Sequence, residues 1–391
     1  MRIALNGLFL AHPATGTGQY LRELVSAMRA LAPEDEFAFI APHADASAPA
    51  PVLVTPTRLK RENFAKLEFE HLTFPRAAKQ NRFDLAHVPH FGPPLFPALP
   101  TVVTIHDLIP LVLPAYRGSA RVQLYTRLAA QGARRARAIL ADSQASARDI
   151  EKFLHIPRER IQVVYLAAHA RFQPNIAPDE IARVRAQYNL PERFVLYLGG
   201  FDVRKNVARI IEAFASVQTG DWRLETGNWK LETGNWKLVI AGNLPERDSD
   251  FFPDPRKLAE KFRVTPRVHF PGFIAEADKP ALYAAARVFL FGSQYEGFGL
   301  PPLEALACGT PVICAHTSSL PEVVGDAGIL LAPDDARAWR DALRAVLRDD
   351  AQWAQLRALG LVQARKFSWE RAARETLDVY RSARPSRRVE S

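Results

Sequence analysis

Glu296-Gly-Phe-Gly-Leu-Pro-Pro-Leu-Glu304 sets two carboxylates at the ends of seven residues that include two glycines and a double proline. Ahead of it, Arg287-Val-Phe-Leu-Phe291 is apolar and strand-like; behind it, Pro301-Pro302-Leu-Glu-Ala-Leu-Ala-Cys308 is helical in composition. Proline is favoured at the first helical position, where a missing N–H costs nothing. The stretch therefore predicts a strand, a glycine-rich turn and a helix beginning at Pro301, with the amides of Gly299 and Leu300 aimed outward. A helix N-terminus preceded by small residues is a phosphate site. Glu304, expected within the first turn, is placed to bind a ribose diol attached to that phosphate. Glu296, at the strand end, can face a second group. An anion flanked by two hydroxylated rings is a sugar nucleotide.

Working outward, 391 residues are too many for one ordinary core and suit two domains. Hydrophobic residues at 48% and charged residues at 24% are those of a globular protein. Apolar runs such as Leu108-Ile-Pro-Leu-Val-Leu-Pro114 are far too short to span a membrane. The opening Met1-Arg-Ile-Ala-Leu-Asn-Gly-Leu-Phe-Leu10 superficially resembles a signal peptide. Asn6-Gly7 interrupts it and no small-residue cleavage site follows, so a buried first strand and a cytoplasmic location are expected. Cys308 and Cys314 are the only cysteines; they are expected as two buried free thiols, and no Cys/His cluster has zinc spacing.

Net charge is +9, and residues 1–170 hold 20 basic against 14 acidic groups. Arg117, Arg121, Arg127, Arg134, Arg135 and Arg137 follow one another with no acid between them. Such a stretch suits an anionic surface, for instance the inner face of a membrane, or is simply a solvated helix face. No recognition-helix or aromatic-interleaved pattern accompanies the charge, so no nucleic-acid partner is expected.

Short apolar runs alternate with amphipathic stretches, the pattern of parallel sheets with crossover helices. Strands are expected at 2–6, 36–41, 83–87, 101–106, 138–142 and 162–166, then at 194–199, 237–242, 267–270, 288–292, 311–315 and 328–331. Helices are expected at 18–31, 63–79, 119–136 and 143–154. In the second half they should begin near 177, 206, 254, 277, 301, 334 and 351, with a last helix at 369–382. Trp222-Arg-Leu-Glu-Thr-Gly-Asn228 is repeated as Trp229-Lys-Leu-Glu-Thr-Gly-Asn235 before Trp236-Lys-Leu238 opens a strand. A tandem duplication explains this. The insert lies in a helix-to-strand connection, away from the ligand ends of the strands, and Trp222 and Trp229 should be more exposed than Trp236.

Further motifs line up with the first. They are Gly16-Thr-Gly-Gln-Tyr20, Thr104-Ile-His-Asp-Leu-Ile-Pro110, Asp142-Ser-Gln-Ala-Ser146 and Leu198-Gly-Gly-Phe-Asp-Val-Arg-Lys-Asn206. Val239-Ile-Ala-Gly242, Val268-His-Phe-Pro-Gly272, Ala307-Cys-Gly-Thr-Pro-Val312 and Phe367-Ser-Trp-Glu370 complete the order. Together they resemble the retaining GT-B glycosyltransferases of family 4, including its mannosyltransferases, over nearly the whole chain. The resemblance implies an α/β fold of two Rossmann-like domains facing a cleft. Residues 1–170 would be the acceptor side and 171–366 the nucleotide-sugar domain. Residues 367–391 would form a helix crossing back to the first domain and a basic tail.

Ligands of parallel sheets bind at the carboxyl ends of strands. Gly16 and Gly18 follow the first strand, where small residues let a phosphate or sugar approach, or merely make a tight turn. His106 ends a strand, and the resemblance implies a catalytic contact with the donor sugar; Asp107 orients it or its own loop. Arg204 and Lys205 follow the strand at 194–199, and paired cations stabilise charge on a departing diphosphate. Lysine supplies only 11 of the 51 basic residues, which makes Lys205 harder to treat as surface filler. Lys205 matches the family motif without ambiguity, whereas Arg204 sits a few residues from the family's usual arginine. The donor set implied by the resemblance also includes Gly200, Ile274, Glu296, Gly297, Phe298, Gly299, Leu300 and Glu304. Ile274 would hold the nucleobase largely through backbone, or would simply pack in the core. Asp248-Ser-Asp250 spells a metal signature of the other glycosyltransferase fold but lies in the wrong context, and no metal is expected.

The expected reaction moves a hexose, mannose by preference, from a nucleoside-diphosphate sugar such as GDP-mannose to a glycan or lipid-linked acceptor, with retention and no cofactor. No second carboxylate suggests a covalent nucleophile. Family precedent implies a front-face displacement in which Glu296 positions sugar hydroxyls. A sugar-nucleotide epimerase on the same fold, a phosphorylase, whose lysine-bound cofactor has no cue in the sequence, and a catalytically silent sugar-nucleotide-binding partner are the alternatives.

Overall fold

The computed structural model describes residues 1–12, 15–219 and 236–384. The duplicated segment 222–235, with Trp222 and Trp229, and the tail 385–391 lie outside the described residues. The chain divides into two compact units, one of Met1–Ala167 with the segment from Ser368, the other of Ala168–Phe367.

The first unit is built on a parallel sheet of β1 (Arg2–Asn6), β2 (Glu36–Ala41), β3 (Val52–Val54), β4 (Leu85–Val88), β5 (Thr101–Ile105), β6 (Ala138–Ala141) and β7 (Ile161–Val163). Their order is β3-β2-β1-β4-β5-β6-β7. β3 was not anticipated. Three residues flanked by Pro49, Pro51 and Pro56 give no periodicity to read, and the strand sits at the sheet edge, where proline is tolerated. β4 starts two residues later than the sequence predicts.

The helix expected at 63–79 is instead two α-helical stretches, Glu62–Glu68 and Phe74–Gln80, joined by a π-turn over Phe69–Thr73. Pro75 explains the break: without an N–H, and with a ring that crowds the carbonyl four residues back, it cannot continue a regular α-helix. The Phe74 amide accordingly reaches back five residues to the Phe69 carbonyl.

The last helix, Trp369–Ala383, belongs to this first unit. Ser368 caps it by accepting from the Arg371 amide. Ala372, Ala373, Thr376, Leu377, Tyr380 and Ala383 repeat at helical spacing and are all buried. Deep in the packing, the Tyr380 hydroxyl lies 2.6 Å from His87 Nδ1, and His87 Nε2 lies 2.8 Å from Thr104 Oγ1. Thr104 in turn meets the Tyr20 hydroxyl at 2.8 Å. Burial keeps His87 neutral, its pKa pushed down to about 3.

The second unit carries β8 (Phe194–Leu198), β9 (Lys237–Ala241), β10 (Val268–Gly272), β11 (Val288–Phe291), β12 (Val312–Ala315) and β13 (Ile329–Leu331). They form a parallel sheet in the order β10-β9-β8-β11-β12-β13. β8 and β11 are buried at every residue, as strands covered on both faces must be. Trp236 is buried at the start of β9, with the Arg193 guanidinium over its ring. Cys308 and Cys314 are buried free thiols. Both sheets have the Rossmann-like order, reversing direction between β1 and β4 in one and between β8 and β11 in the other.

Candidate active site

In the second unit the sheet reverses between β8 and β11, and the loops leaving those two strands meet. After β8, a 3-10 turn over Val203–Lys205 ends at Asn206 in the left-handed region (φ 52°), a conformation asparagine tolerates. The Gln294 amide donates to the Arg204 carbonyl (2.8 Å), tying the β11 loop to this turn. The result is a compact charge cluster. Lys205 Nζ lies 2.6 Å and Arg204 Nη1 2.8 Å from the same Glu296 oxygen, while Arg204 Nε is 3.4 Å from Asp202. Arg204 also donates to the Tyr295 carbonyl (2.7 Å), and Lys205 stands over the Phe291 ring.

The sequence had assigned these cations to one ligand group and Glu296 to another; the structure pairs them with each other. Burial by itself would favour the neutral acid at Glu296. The Lys205 ammonium, then the Arg204 guanidinium, outweigh it and hold the carboxyl below its ordinary value. An arriving anion would therefore compete with Glu296 for the same two cations.

The helix behind the turn begins one residue earlier than expected, at Leu300, so Pro301 and Pro302 occupy its second and third positions. With no N–H on either proline, the amides of Gly299 and Leu300 are the donors left at this end. Gly299 has φ +122°, and a Cβ there would lie 2.9 Å from the Leu320 side chain, so only glycine fits. Gly297 and Phe298 are buried, with Phe298 edge-on to Phe367 (5.7 Å), and Leu300 is half-buried.

Glu304 is a correction. It falls in the second turn, not the first, and its side chain is buried, accepting a hydrogen bond from the Tyr283 hydroxyl (3.0 Å). Burial raises its carboxyl to about 7, although the Lys279 ammonium and the Tyr283 hydroxyl pull the other way.

Three residues missed in the sequence hold the glycine turn. The Glu296 amide donates to Ser318 Oγ (2.8 Å), and Ser319 Oγ lies 2.9 Å from the Glu296 carbonyl and 2.5 Å from that of Phe298. Thr317 Oγ1 donates to the Ser293 carbonyl (2.8 Å). Their signal was available: Thr317-Ser-Ser319 follows β12 at the carboxyl end of the sheet, where side-chain hydroxyls characteristically hold loops.

Of the remaining donor-set residues in this unit, Gly200 is exposed after β8 and its carbonyl accepts from the Tyr197 hydroxyl. Ile274 is 1% exposed and part of the core, so its side chain packs and only its backbone is left for a ligand. Asp248 accepts from the Asp254 amide (2.8 Å) and pairs with Lys257 (3.0 Å). Among the described residues no group of three or more His, Cys, Asp or Glu could hold a metal ion.

His106, Gly16 and Gly18 belong to the first unit. His106 ends β5; its Nδ1 is 2.7 Å from Asp142 Oδ2 and its Nε2 3.1 Å from the Pro89 carbonyl. With acceptors on both nitrogens the imidazolium is favoured. Asp142 outweighs the opposing effect of burial and raises the pKa. Asp142, quoted in the sequence only as part of a motif, is thus the orienting residue. Asp107 instead accepts from the Ile109 amide (3.1 Å) in its own loop. Tyr20 stands edge-on to the His106 ring at 5.0 Å. Gly16 opens the helix Gly16–Leu31, capped by Thr15, which accepts from the Gly18 amide (3.1 Å).

Comparison with known proteins bears on the family and the fold. Residues 14–169 match the family described as Glycosyltransferase Family 4, and residues 179–360 match Glycosyl transferases group 1. The chain is 30% identical over 390 residues to the O-antigen chain mannosyltransferase B of Escherichia coli, covering 95% of this chain and 97% of that one. Among solved structures, WaaG, a glycosyltransferase involved in lipopolysaccharide biosynthesis, superposes with a TM-score of 0.72 at 19% identity, over 97% of this chain and 99% of that one. Anabaena HepE, solved with UDP-glucose, gives 0.72 at 19% identity over 98% and 100%. These two likenesses carry the fold, the GT-B pairing of Rossmann-like domains. The near full-length match carries the family: the protein is a glycosyltransferase of family 4, in the group 1 glycosyl transferases.

Proposed function

We propose that the protein is a retaining, metal-independent hexosyltransferase that moves mannose from GDP-mannose to a glycan or lipid-linked acceptor. The observation that carries this is the convergence of Lys205 and Arg204 on Glu296 at the carboxyl ends of β8 and β11. Two fixed cations at a strand end, beside the first amides of a helix, suit a diphosphate and the charge it gains on leaving. Glu296, ionised in this setting, would accept hydrogen bonds from sugar hydroxyls, and Glu304 would engage the ribose.

In the reaction, the bond from the anomeric carbon to the phosphate oxygen breaks and a bond to the acceptor oxygen forms on the same face. The acceptor proton passes to the departing phosphate. His106, oriented by Asp142, would contact the donor sugar. Mannose is favoured by the similarity to a mannosyltransferase.

We place the enzyme on the cytoplasmic side, in peripheral contact with anionic membrane. No helix among the described residues is long and apolar enough to cross a membrane. The helix Ala120–Arg135 and its flanks expose Arg117, Arg121, Arg127, Arg134, Arg135 and Arg137, with Val122 and Leu124 exposed among them. Salt-sensitive binding to acidic but not neutral vesicles is the expected result.

A panel of sugar nucleotides, assayed for turnover with and without acceptor and with excess EDTA, tests the chemistry. GDP-mannose consumption that needs acceptor, survives chelation and gives an α-linked product supports the proposal. Acceptor-independent conversion of the donor to another sugar nucleotide would indicate the epimerase, and binding without turnover the silent partner.

A further inference from the structure

Two of the sequence motifs carry an aromatic residue that the site described so far does not use: Tyr20 in Gly16-Thr-Gly-Gln-Tyr20 and Trp369 in Phe367-Ser-Trp-Glu370. Tyr20 lies on the buried face of the helix Gly16–Leu31, and Trp369 opens the last helix. Within the first unit they come together beside His106. The Tyr20 ring meets the His106 ring at 84° with centres 5.0 Å apart, and its centre lies 6.2 Å from that of Trp369.

His106 is held at both ring nitrogens, by Asp142 and by the Pro89 carbonyl, and its own carbonyl accepts from Ser146 Oγ (2.9 Å). Hydrogen-bond directions at such oxygens are broadly distributed. Two such bonds therefore resist sliding of the ring in its own plane better than tilting out of it. Tilting is resisted by what packs against the ring, and Tyr20 packs there. The His106 side chain keeps 21% of its surface exposed, so a ligand can reach it. At a reacting centre even a displacement of about 1 Å can cost roughly a hundredfold in rate.

Tyr20 can hold His106 only if its own ring is fixed. It is 2% exposed, and its hydroxyl is the end of a buried file that runs through Thr104 and His87 to Tyr380. His87 makes the file cooperative. A neutral imidazole has one N–H, so one nitrogen donates and the other accepts, and the hydroxyls on either side must turn to match. Removing the hydroxyl at either end leaves a buried group unsatisfied and lets the rest of the file reverse. Tyr380 and Trp369 lie on the same helix, so the last helix grips Tyr20 twice, at its ring and through its hydroxyl.

We propose that Tyr20 is a positioning residue of the transferase. It sets the plane of the His106 imidazole, and the last helix holds Tyr20 in turn through Trp369 and the file of Tyr380, His87 and Thr104. The proposal rests on the donor-sugar contact given to His106 above. The titratable groups that face His106 are Asp142 and Asp107, which raise its pKa, and His87 and His90, which burial keeps neutral.

The test uses the full chain. The His106 ring protons, assigned with His106→Gln, are titrated by NMR in the unsubstituted chain, Tyr20→Phe, Tyr380→Phe and the double variant. Each substitution removes one oxygen atom, and Tyr380 has neither a hydrogen bond nor a ring contact with His106. Both should move the titration to lower pH, because a tilting ring loses the Asp142 bond that raises its pKa. The double variant should move it no further than the larger single shift, since both substitutions cut one file. With GDP-mannose and octyl α-mannoside as probes, each single variant should lower kcat by about fivefold, the effect of one neutral hydrogen bond, with KM unchanged. An unmoved titration in Tyr380→Phe, additive shifts in the double variant, or full kcat in both single variants would overturn the proposal. A fall in Tm would not rescue it, because lost packing alone lowers Tm without moving His106. His106→Gln is assayed separately. Full turnover there would withdraw the catalytic contact, while the titrations would still decide whether Tyr20 holds the ring.

Discussion

Glu296 and Glu304 end the same nine-residue motif, yet their surroundings drive them in opposite directions. Glu296 leaves a strand end and meets two cations, which keep it ionised in spite of burial. Glu304 enters the interior of a helix and meets a tyrosine hydroxyl, and burial raises its carboxyl to about 7. Two identical side chains in one motif thus differ in charge at neutral pH. The difference teaches that spacing selects where a carboxylate sits, while its neighbours select what it can do. Glu296 is a fixed negative charge that holds two cations in place. Glu304 is a hydrogen-bonding group whose charge state changes close to physiological pH.

The sharpest way to break this contrast is at Lys205. Lys205→Ala should lower turnover by about a hundredfold or more, because one lost charge-stabilising contact is worth roughly 3 kcal/mol. It should also release Glu296 toward the ordinary behaviour of a buried acid. Steady-state kinetics on the folded variant checks this, and unchanged turnover would remove the diphosphate from this cluster.

Glu304 gives the next largest effect. Its folded pKa lies above the ordinary value, so its stabilising contribution is complete below about pH 4.5 and is lost as pH rises through about 7. Glu304→Gln should therefore flatten the fall in Tm between about pH 5 and pH 8, a window in which one such group contributes at most about 1.4 kcal/mol per pH unit. If Glu304 holds the ribose, the same variant should weaken donor binding by about tenfold, the value of one charge-assisted hydrogen bond. A pH profile of Tm identical to that of the unsubstituted chain would mean that the carboxyl titrates normally.

The pair His106–Asp142 repeats the Glu296 situation with the signs reversed, since here burial opposes the charged form and a carboxylate raises the pKa of an imidazole. Asp142→Asn should move the His106 titration, followed by NMR of its ring protons, to lower pH. An unmoved titration would show that Asp142 does not set the charge of His106.

The smallest effect is expected at Ser318, whose hydroxyl accepts from the Glu296 amide. Ser318→Ala removes one neutral hydrogen bond of about 1 kcal/mol and should cost less than tenfold in turnover. A loss as large as that of Lys205→Ala would make the backbone of the glycine turn, not the charge cluster, the sensitive part of the site.

The fold was legible wherever periodicity spoke for itself. β1 and β2 fall at the bounds read from the sequence, because four or five consecutive buried residues bounded by polar or turn residues leave little freedom. β3 was not legible, since three residues between prolines carry no pattern, and neither was the π-turn at Phe69–Thr73, which a helical pattern cannot distinguish from an ordinary turn.

The site divides in the same way. The sequence by itself determined which chemical groups reach the carboxyl ends of the strands: Lys205, Arg204, Glu296 and His106 are placed there by strand length and by the glycines and prolines that end each strand. Only the tertiary structure decided their partners. Glu296 lies 91 residues from Lys205 in the chain and Asp142 lies 36 from His106. Pairs so distant leave no periodic trace, and their charge states follow from burial and from neighbours that only folding supplies.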